Sequence, residues 1–402
     1  MIADRPVLRM SSELGRVMAA ARAREQAGER VLHLERGEPD FDTPSHIVEA
    51  LARAARAGET HYPDARGTVD LRLALRDKLA RENRIACDPD DIVITNGGTH
   101  ALFLTFQALL GAADEVLVLS PHWMAIPKLV GFAHGASMRA VPAYLDLQSG
   151  SLDGPGFAAR LRAALQPQTR GIYLNSPNNP SGAVLTREQL SVMAEVAVER
   201  DLWVVSDEAY EHLLFDDARH VSIASLAGMA ERTVSVFTLS KSYAMTGWRI
   251  GWVAAPAELM VGIAKVHQYG IMCAPTVAQF AALEALRIGE PFVVEMHAEY
   301  DRRRQLLTSR LNQMGLFCFE PRGAFYCFPN IARTGMDDED FAQALLHEER
   351  VAVVPGTAFG PSGADHVRVC YATSYEELVE ALDRIERFVE RHPGPPAELR
   401  PA

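Results

Sequence analysis

Lys241 is the residue whose placement asks for a chemical explanation. The stretch Ser235–Trp252 reads SVFTLSKSYAMTGWRIGW, a β-type run through Val236 and Phe237 that breaks at Ser240, Lys241 and Ser242. Lysine is rarely buried unless it is paired or used chemically, because its compact ammonium is strongly hydrated. Arg249 follows between Gly247 and Gly251, glycines that let the backbone approach whatever the guanidinium binds. Three other segments add complementary groups. Asp207 closes an apolar run in Ser206-Asp-Glu-Ala-Tyr210, Asn178 and Asn179 sit in Asn175-Ser-Pro-Asn-Asn-Pro-Ser-Gly182, and Arg368 lies inside Val-Arg-Val-Cys-Tyr-Ala-Thr.

Each of these has an ordinary structural explanation when taken alone. Lys241 and Arg249 suit a surface loop and an ion pair, and Asp207 suits a helix cap. Asn-Pro and Gly suit a turn, and a glutamate of the protein would satisfy Arg368 as well as a ligand carboxylate would. The chemical alternative gives Asp207 a protonated heteroaromatic nitrogen and Arg368 a bidentate carboxylate. Asn96-Gly-Gly-Thr-His100 opens a helix, and N–H groups at a helix start with glycines beside them make a phosphate cradle. Trp123, just after an apolar run, suits the core or the face of a planar ring. His122 and the other scattered histidines read as structural.

The elements that must hold these groups alternate. Short apolar strands are expected at Ile92–Thr95, Val116–Leu119, Met138–Val141, Gly171–Leu174, Leu202–Ser206, Thr233–Thr238 and Gly251–Ala255, with helical stretches between most of them. Near-continuous apolar strands between helices indicate an α/β architecture, a mostly parallel sheet sandwiched by helices. Ligands bind beyond the carboxyl ends of such strands, and the polar landmarks fall there. Before the sheet, Ser11–Gly28 has helical spacing. Thr43 and Pro44 signal a helix start whose buried face carries Ile47, Val48, Leu51 and Ala54. After about Pro291 the pattern changes to a long charged helix and short strands at Phe317–Phe319, Phe325–Phe328 and Val351–Val354. The expected division is a large domain over 46–290, a smaller α+β domain from 1–45 and 291–392, and a Pro-rich disordered tail over 393–402.

Composition bounds the function from outside. With 402 residues, 48% hydrophobic, the chain can bury a large core. A net charge of −12 argues against a nucleic-acid partner. No apolar run approaches the roughly 20 residues of a membrane helix, and MIADRPVLRM lacks a secretory core, so a cytoplasmic location is expected. The five cysteines are scattered, which suits a reducing compartment, and no metal-binding spacing occurs.

Together the segments resemble the class I/II aminotransferases of the fold-type I pyridoxal-phosphate enzymes, in particular their bacterial aspartate-aminotransferase-like branch. The resemblance runs in order through Gly37-Glu-Pro-Asp-Phe-Asp-Thr-Pro44, Tyr62-Pro63, Asn175–Gly182, Ser206–Tyr210, Ser240–Gly251, Gly323-Ala-Phe-Tyr326, Val354-Pro-Gly356 and Arg368–Ser374. It implies that Lys241 forms a Schiff base with pyridoxal 5'-phosphate and later moves the substrate proton. Asp207 would hold the pyridine nitrogen protonated, Tyr210 and Asn179 would meet the ring hydroxyl, and Trp123 would stack on the ring. Gly98, Thr99, Thr238 and Arg249 would cradle the phosphate, with Tyr62 arriving from the other subunit of a homodimer. Arg368 would clamp the substrate α-carboxylate beside Gly37 and Asn179, and the small domain would close over amino-acid and 2-oxo-acid substrates.

Two positions depart from the family pattern. A lysine that helps hold an acidic side chain in aspartate-using relatives is replaced by Thr99, and Glu35-Arg36 precedes Gly37 where small residues are usual. Arg36, His100 or His122 is therefore expected to reshape the side-chain pocket. Two further readings share parts of the pattern: a β-eliminating lyase, since the same cofactor serves other carbanions, and a non-catalytic effector-binding module.

Overall fold

The structure, a computed structural model, describes residues 6–394, so residues 395–402 of the expected tail lie outside the described residues. The chain enters through α1 (Glu13–Gln26), capped by the Ser12 hydroxyl, which accepts from the Gly15 N–H. It then forms the short β1 (Leu32–His33) and α2 (Ser45–Arg56). The start of α2 differs from expectation. Thr43 does not cap it; its hydroxyl donates to the Ala244 carbonyl (2.6 Å) and accepts from Trp248 Nε1 (2.9 Å). That side chain is spent on tying the entry loop to the Lys241 segment. Ile47 and Ala54 are buried as expected, whereas Val48 is 45% exposed.

The large sheet contains β2 (Ile92–Thr95), β3 (Glu115–Ser120), β4 (Ser137–Pro142), β5 (Thr169–Asn175), β6 (Trp203–Asp207), β7 (Thr233–Thr238) and β8 (Gly251–Ala254). All seven expected strands are present. Their order is β2-β8-β7-β6-β5-β3-β4. Only β8 runs antiparallel to its neighbours. Val116 and Val118 enter one core while Leu117 and Leu119 enter another. Successive strand residues point to opposite faces, so both faces of the sheet are covered.

A further core takes in β9 (Tyr326–Cys327), Val351 of β10 (Val351–Ala352) and β12 (Val367–Cys370), while Val354 of β11 (Val354–Pro355) packs with Phe328 and Phe359. β11, β12 and β9 form an antiparallel sheet, and β1 pairs in parallel with β10. Leu32 and Leu34 pack here with Tyr300 and Leu307 of the long helix Glu290–Gln313 and Ile385 of the helix Tyr375–Arg391. Phe317–Phe319, expected as a strand, is not one. The Asn312 side chain accepts from the Cys318 N–H and donates to its carbonyl, so those backbone groups need no ladder. The expected strand Phe325–Phe328 shrinks to β9, and Val351–Val354 divides into β10 and β11. All five cysteines are free thiols. Among the described residues no helix is long and apolar enough to cross a membrane.

Candidate active site

The parallel ladder aligns strand ends. Asn175 lies opposite Asp207, and Asp207 opposite Val236, so β5, β6 and β7 finish along one edge. A cavity of about 260 Å³ opens at this edge. It is lined by Gly37, Gly98, Thr99, Trp123, Asn179, Asp207, Tyr210, Thr238, Lys241, Arg249 and Arg368. Every residue expected to hold the cofactor or the substrate carboxylate, except Tyr62, therefore faces a single space.

Asp207 forms the buried floor. Tyr173 donates to Oδ2 (2.9 Å) and the Ala209 N–H to Oδ1 (3.3 Å). No ion pair reaches Asp207 among the described residues. Burial pushes its pKa up to about 6, against the pull of those two donors. Asn175 donates to the Asp207 carbonyl (3.0 Å), and its Oδ1 accepts from the Asn179 N–H (2.8 Å), so strand end and turn are locked together. The Tyr210 and Tyr326 hydroxyls share a hydrogen bond of 2.9 Å, and burial raises the pKa of both.

Lys241 sits in the single turn Leu239–Ser242 after β7, where the Thr238 hydroxyl accepts from the Ser240 N–H. Its Nζ donates to the Gly37 carbonyl (2.6 Å). Loss of hydration lowers its pKa to about 8, and the fields of Arg368 and Arg249 add to that effect. A lysine in this state is neutral often enough near physiological pH to act as a nucleophile or a base.

Arg368 is 2% exposed and pairs with no carboxylate among the described residues. It donates to Asn179 Oδ1 (3.1 Å) and the Glu35 carbonyl (2.5 Å), and its Nε has no partner. Among the described residues no glutamate carboxylate pairs with it; Glu35 meets it only through its main-chain carbonyl. A Cβ on Gly37 would stand 3.0 Å from the Tyr326 hydroxyl, so glycine lets the main chain lie against this group.

Gly98 opens the helix Gly98–Leu109 behind Gly97 (φ 80°), leaving its first N–H groups directed at the cavity edge. Arg249, itself left-handed (φ 55°), donates to the carbonyls of Thr246 (2.7 Å) and Asn96 (3.1 Å). A Cβ on Gly97 would come within 2.5 Å of Arg249 Nη2. A helix start and an arginine thus converge where a phosphate would sit.

Tyr62 is outside this space. It is 82% exposed and lines a separate groove with Asn96, whose carbonyl accepts from Arg249. Arg36, His100 and His122 do not line the cavity either. Arg36 is half-exposed with one 3.9 Å approach to Glu35. His100 accepts from the Asn96 N–H (3.1 Å), and burial pushes its pKa down to about 4. His122 is buried with Nδ1 on the Trp123 carbonyl. Leu14, Leu102, Met124 and Tyr326 line the cavity without having been singled out as site residues. Tyr173 escaped notice because a tyrosine in an apolar strand reads as core; its spacing of two from Asn175 was the available signal. Among the described residues Glu208, Glu211 and His220 gather closely enough to share an ion, and Lys78 donates to Glu211 within that group (2.5 Å).

The sequence matches the model of the family described as Aminotransferase class I and II over residues 29–385. The chain belongs to this family. It is 43% identical to an aspartate aminotransferase of Pyrococcus abyssi over 363 residues, 89% of this chain and 92% of that one. Identity to an aromatic-amino-acid aminotransferase of Thermococcus litoralis is 42%, over 90% of this chain and 93% of that one. The solved aspartate aminotransferase of Thermus thermophilus with maleate superposes with a TM-score of 0.88 at 40% identity, covering 96% of this chain and 100% of that one. This aminotransferase is a fold-type I enzyme dependent on pyridoxal 5'-phosphate, and it moves an amino group between an L-amino acid and a 2-oxo acid. The lyase and effector-module readings find no support among these relatives.

Proposed function

We propose that Lys241 holds the cofactor and moves the substrate proton, that Asp207 grips the far end of the ring, and that Arg368 clamps the substrate α-carboxylate. One observation carries the proposal: Lys241, Asp207 and Arg368 open into the same cavity. Asp207 is a buried carboxylate lacking a cation, and Arg368 a buried guanidinium lacking an anion; both costs are relieved by a ligand of opposite sign. When bound, pyridoxal phosphate supplies an electron sink for the pair left as the donor's Cα loses its proton. Asp207 would keep the ring nitrogen protonated, Tyr210 and Asn179 would meet the ring hydroxyl, and Trp123 would cover the ring. Gly98, Thr99, Thr238 and Arg249 would hold the phosphate. Lys241, whose burial-lowered pKa of about 8 leaves part of it neutral near physiological pH, would take the proton from the donor's Cα and hold it for return. Asn179 and the Gly37 main chain align the carboxylate with Arg368.

The donor has an uncharged side chain in this reading. The lining cations are Lys241, Arg249 and Arg368, all engaged above, and Thr99 offers no charge. Leu14, Leu102 and Met124 make the remaining surface apolar. Relatives are named for both aspartate and aromatic amino acids, so the test sets these classes against each other. Kinetics with L-phenylalanine, L-leucine, L-aspartate and L-lysine should favour the apolar donors by more than about 10-fold in kcat/KM. Aspartate turned over as well as phenylalanine overturns this reading, and its loss in Arg36→Ala would then assign the second carboxylate to Arg36.

The enzyme works as a cytoplasmic homodimer, with Tyr62 reaching the partner's phosphate site. Exposed Tyr62, which lines the Asn96 groove, and exposed Tyr269 and Met272, close in sequence to Ile271 of the same lining, support the pairing, and sedimentation showing only monomer would exclude it. The region 46–290 binds the cofactor, and the smaller one, from 1–45 and 291–392, closes over the substrate; scattering curves unchanged by a saturating substrate analogue would exclude the closure.

A further inference from the structure

A charge cluster that runs from buried Glu35 to exposed Glu25 lies behind Arg368, on residues that precede Gly37. His33 of β1 has a carboxylate against each ring nitrogen. Glu35 Oε1 lies 2.9 Å from Nδ1, and Glu25 Oε1, from α1, lies 2.9 Å from Nε2. A neutral imidazole carries one N–H and can donate to only one of them, so satisfying both requires the imidazolium. Glu35 is 1% exposed, and its Oε2 has no partner. Without the charge on His33 this carboxylate would be buried and uncompensated, since Arg36 approaches no closer than 3.9 Å.

Glu35 does not line the cavity, but its main chain reaches the site. The Glu35 carbonyl accepts from Arg368 Nη2 (2.5 Å), and the Gly37 carbonyl accepts from Lys241 Nζ (2.6 Å). One short strap therefore touches both the carboxylate clamp and the amine. At the other side of His33, α1 carries Leu14 into the cavity.

We propose that Glu35 and His33 are positioning residues for transamination: the imidazolium pins the strap, and the strap aims Arg368 at the substrate carboxylate. The proposal rests on Arg368 being that clamp. It makes substrate grip depend on a proton. The hydrogen bond to Glu35, then that to Glu25, holds the His33 pKa above its ordinary value against the effect of burial. Both ties are therefore present below this raised pKa and one is lost as pH climbs through it. Glu25 is the tie released, because water can solvate it; the neutral ring still donates to Glu35 but no longer offsets its buried charge, and the strap loosens. The charged groups around His33 are Glu25 and Arg22 from α1 and Glu35 and Arg36 from the strap. β10 contributes Val351 and Ala352, which are uncharged, after the Arg350–Glu29 pair.

The test uses the holoenzyme and hydrocinnamate, a carboxylate with no amine to react. Calorimetry gives its Kd between about pH 6 and about pH 9, and steady-state kinetics with L-phenylalanine gives KM and kcat. Glu35→Gln should raise both Kd and KM about 10-fold while kcat changes less than about threefold. Wild-type Kd should weaken through one ionisation as pH rises, and that break should vanish in His33→Gln. Wild-type Kd and pH profile in both variants overturn the proposal. Should Glu35→Gln not fold, the exposed Glu25→Gln variant decides: a break moved to lower pH supports the proposal and an unmoved break overturns it. Arg368→Ala separates the two levels. If it leaves Kd unchanged, the clamp assignment fails; if it raises Kd while the strap variants do not, only the positioning role fails.

Discussion

Asp207 and Arg368 are both buried charges at one cavity, and they are held in contrasting ways. Asp207 hangs from the end of β6 inside a ladder of long parallel strands, with Asn175 opposite it in register. Its donors, Tyr173 and Ala209, come from the neighbouring strand and its own turn. Arg368 lies in the four-residue β12, and its carbonyl partner Glu35 is 333 positions away in the chain. The first end of the site is set by a sheet that cannot shift one strand without disturbing several. The second is set by a strap and two short ladders, which would let it adjust to substrate on the proposed roles. Opposite unmet charges at the two ends, one rigid and one adjustable, suit a site that keeps its cofactor and exchanges its substrates.

Substitutions can break this contrast. The largest effect is expected at Lys241, which serves both ends: Lys241→Ala should lower kcat by more than about 10⁴-fold while the fold is retained, checked by single-turnover kinetics and circular dichroism. Asp207→Asn and Arg368→Ala should then separate. Loss of Asp207 should fall on kcat, by about 10³-fold, since it alters the electronics of the step rather than substrate capture. Loss of Arg368 should fall mainly on KM, by about 10²-fold, the loss expected from a charge-assisted bidentate contact. Equal effects on both parameters in both variants would remove the distinction between the two ends. The smallest effect is a pH dependence. Burial lowers the Lys241 pKa to about 8, so the neutral amine increases as pH rises through that value. The rate at which apoprotein recombines with pyridoxal phosphate should rise with it and level off above; stopped-flow absorbance checks this.

Legibility in the sequence followed the same divide. The strands of the large sheet are near-continuous apolar runs, such as Val234-Ser-Val-Phe237, ended by residues that strands avoid. Those ends are where Asp207, Asn175 and Lys241 lie. Thr43 misled because its cap preference competes with a partner distant in sequence, the Ala244 carbonyl. Phe317–Phe319 misled because a side chain, Asn312, took the place of a neighbouring strand. Tyr173 was hidden because its ring is core while its hydroxyl belongs to Asp207. Local patterns carry no information about partners supplied from elsewhere in the chain.

The order of residue types alone determined the layered α/β architecture, the placement of the polar landmarks at strand ends and the membership of the aminotransferase class. These follow from short-range periodicity and from which backbone conformations each residue tolerates. Only the three-dimensional arrangement decided that Arg368 pairs with no carboxylate among the described residues, that Arg36, His100 and His122 stay out of the cavity, and that His33 bridges Glu25 of α1 and Glu35. Whether two charges meet depends on distances across hundreds of residues of chain, and packing sets those distances.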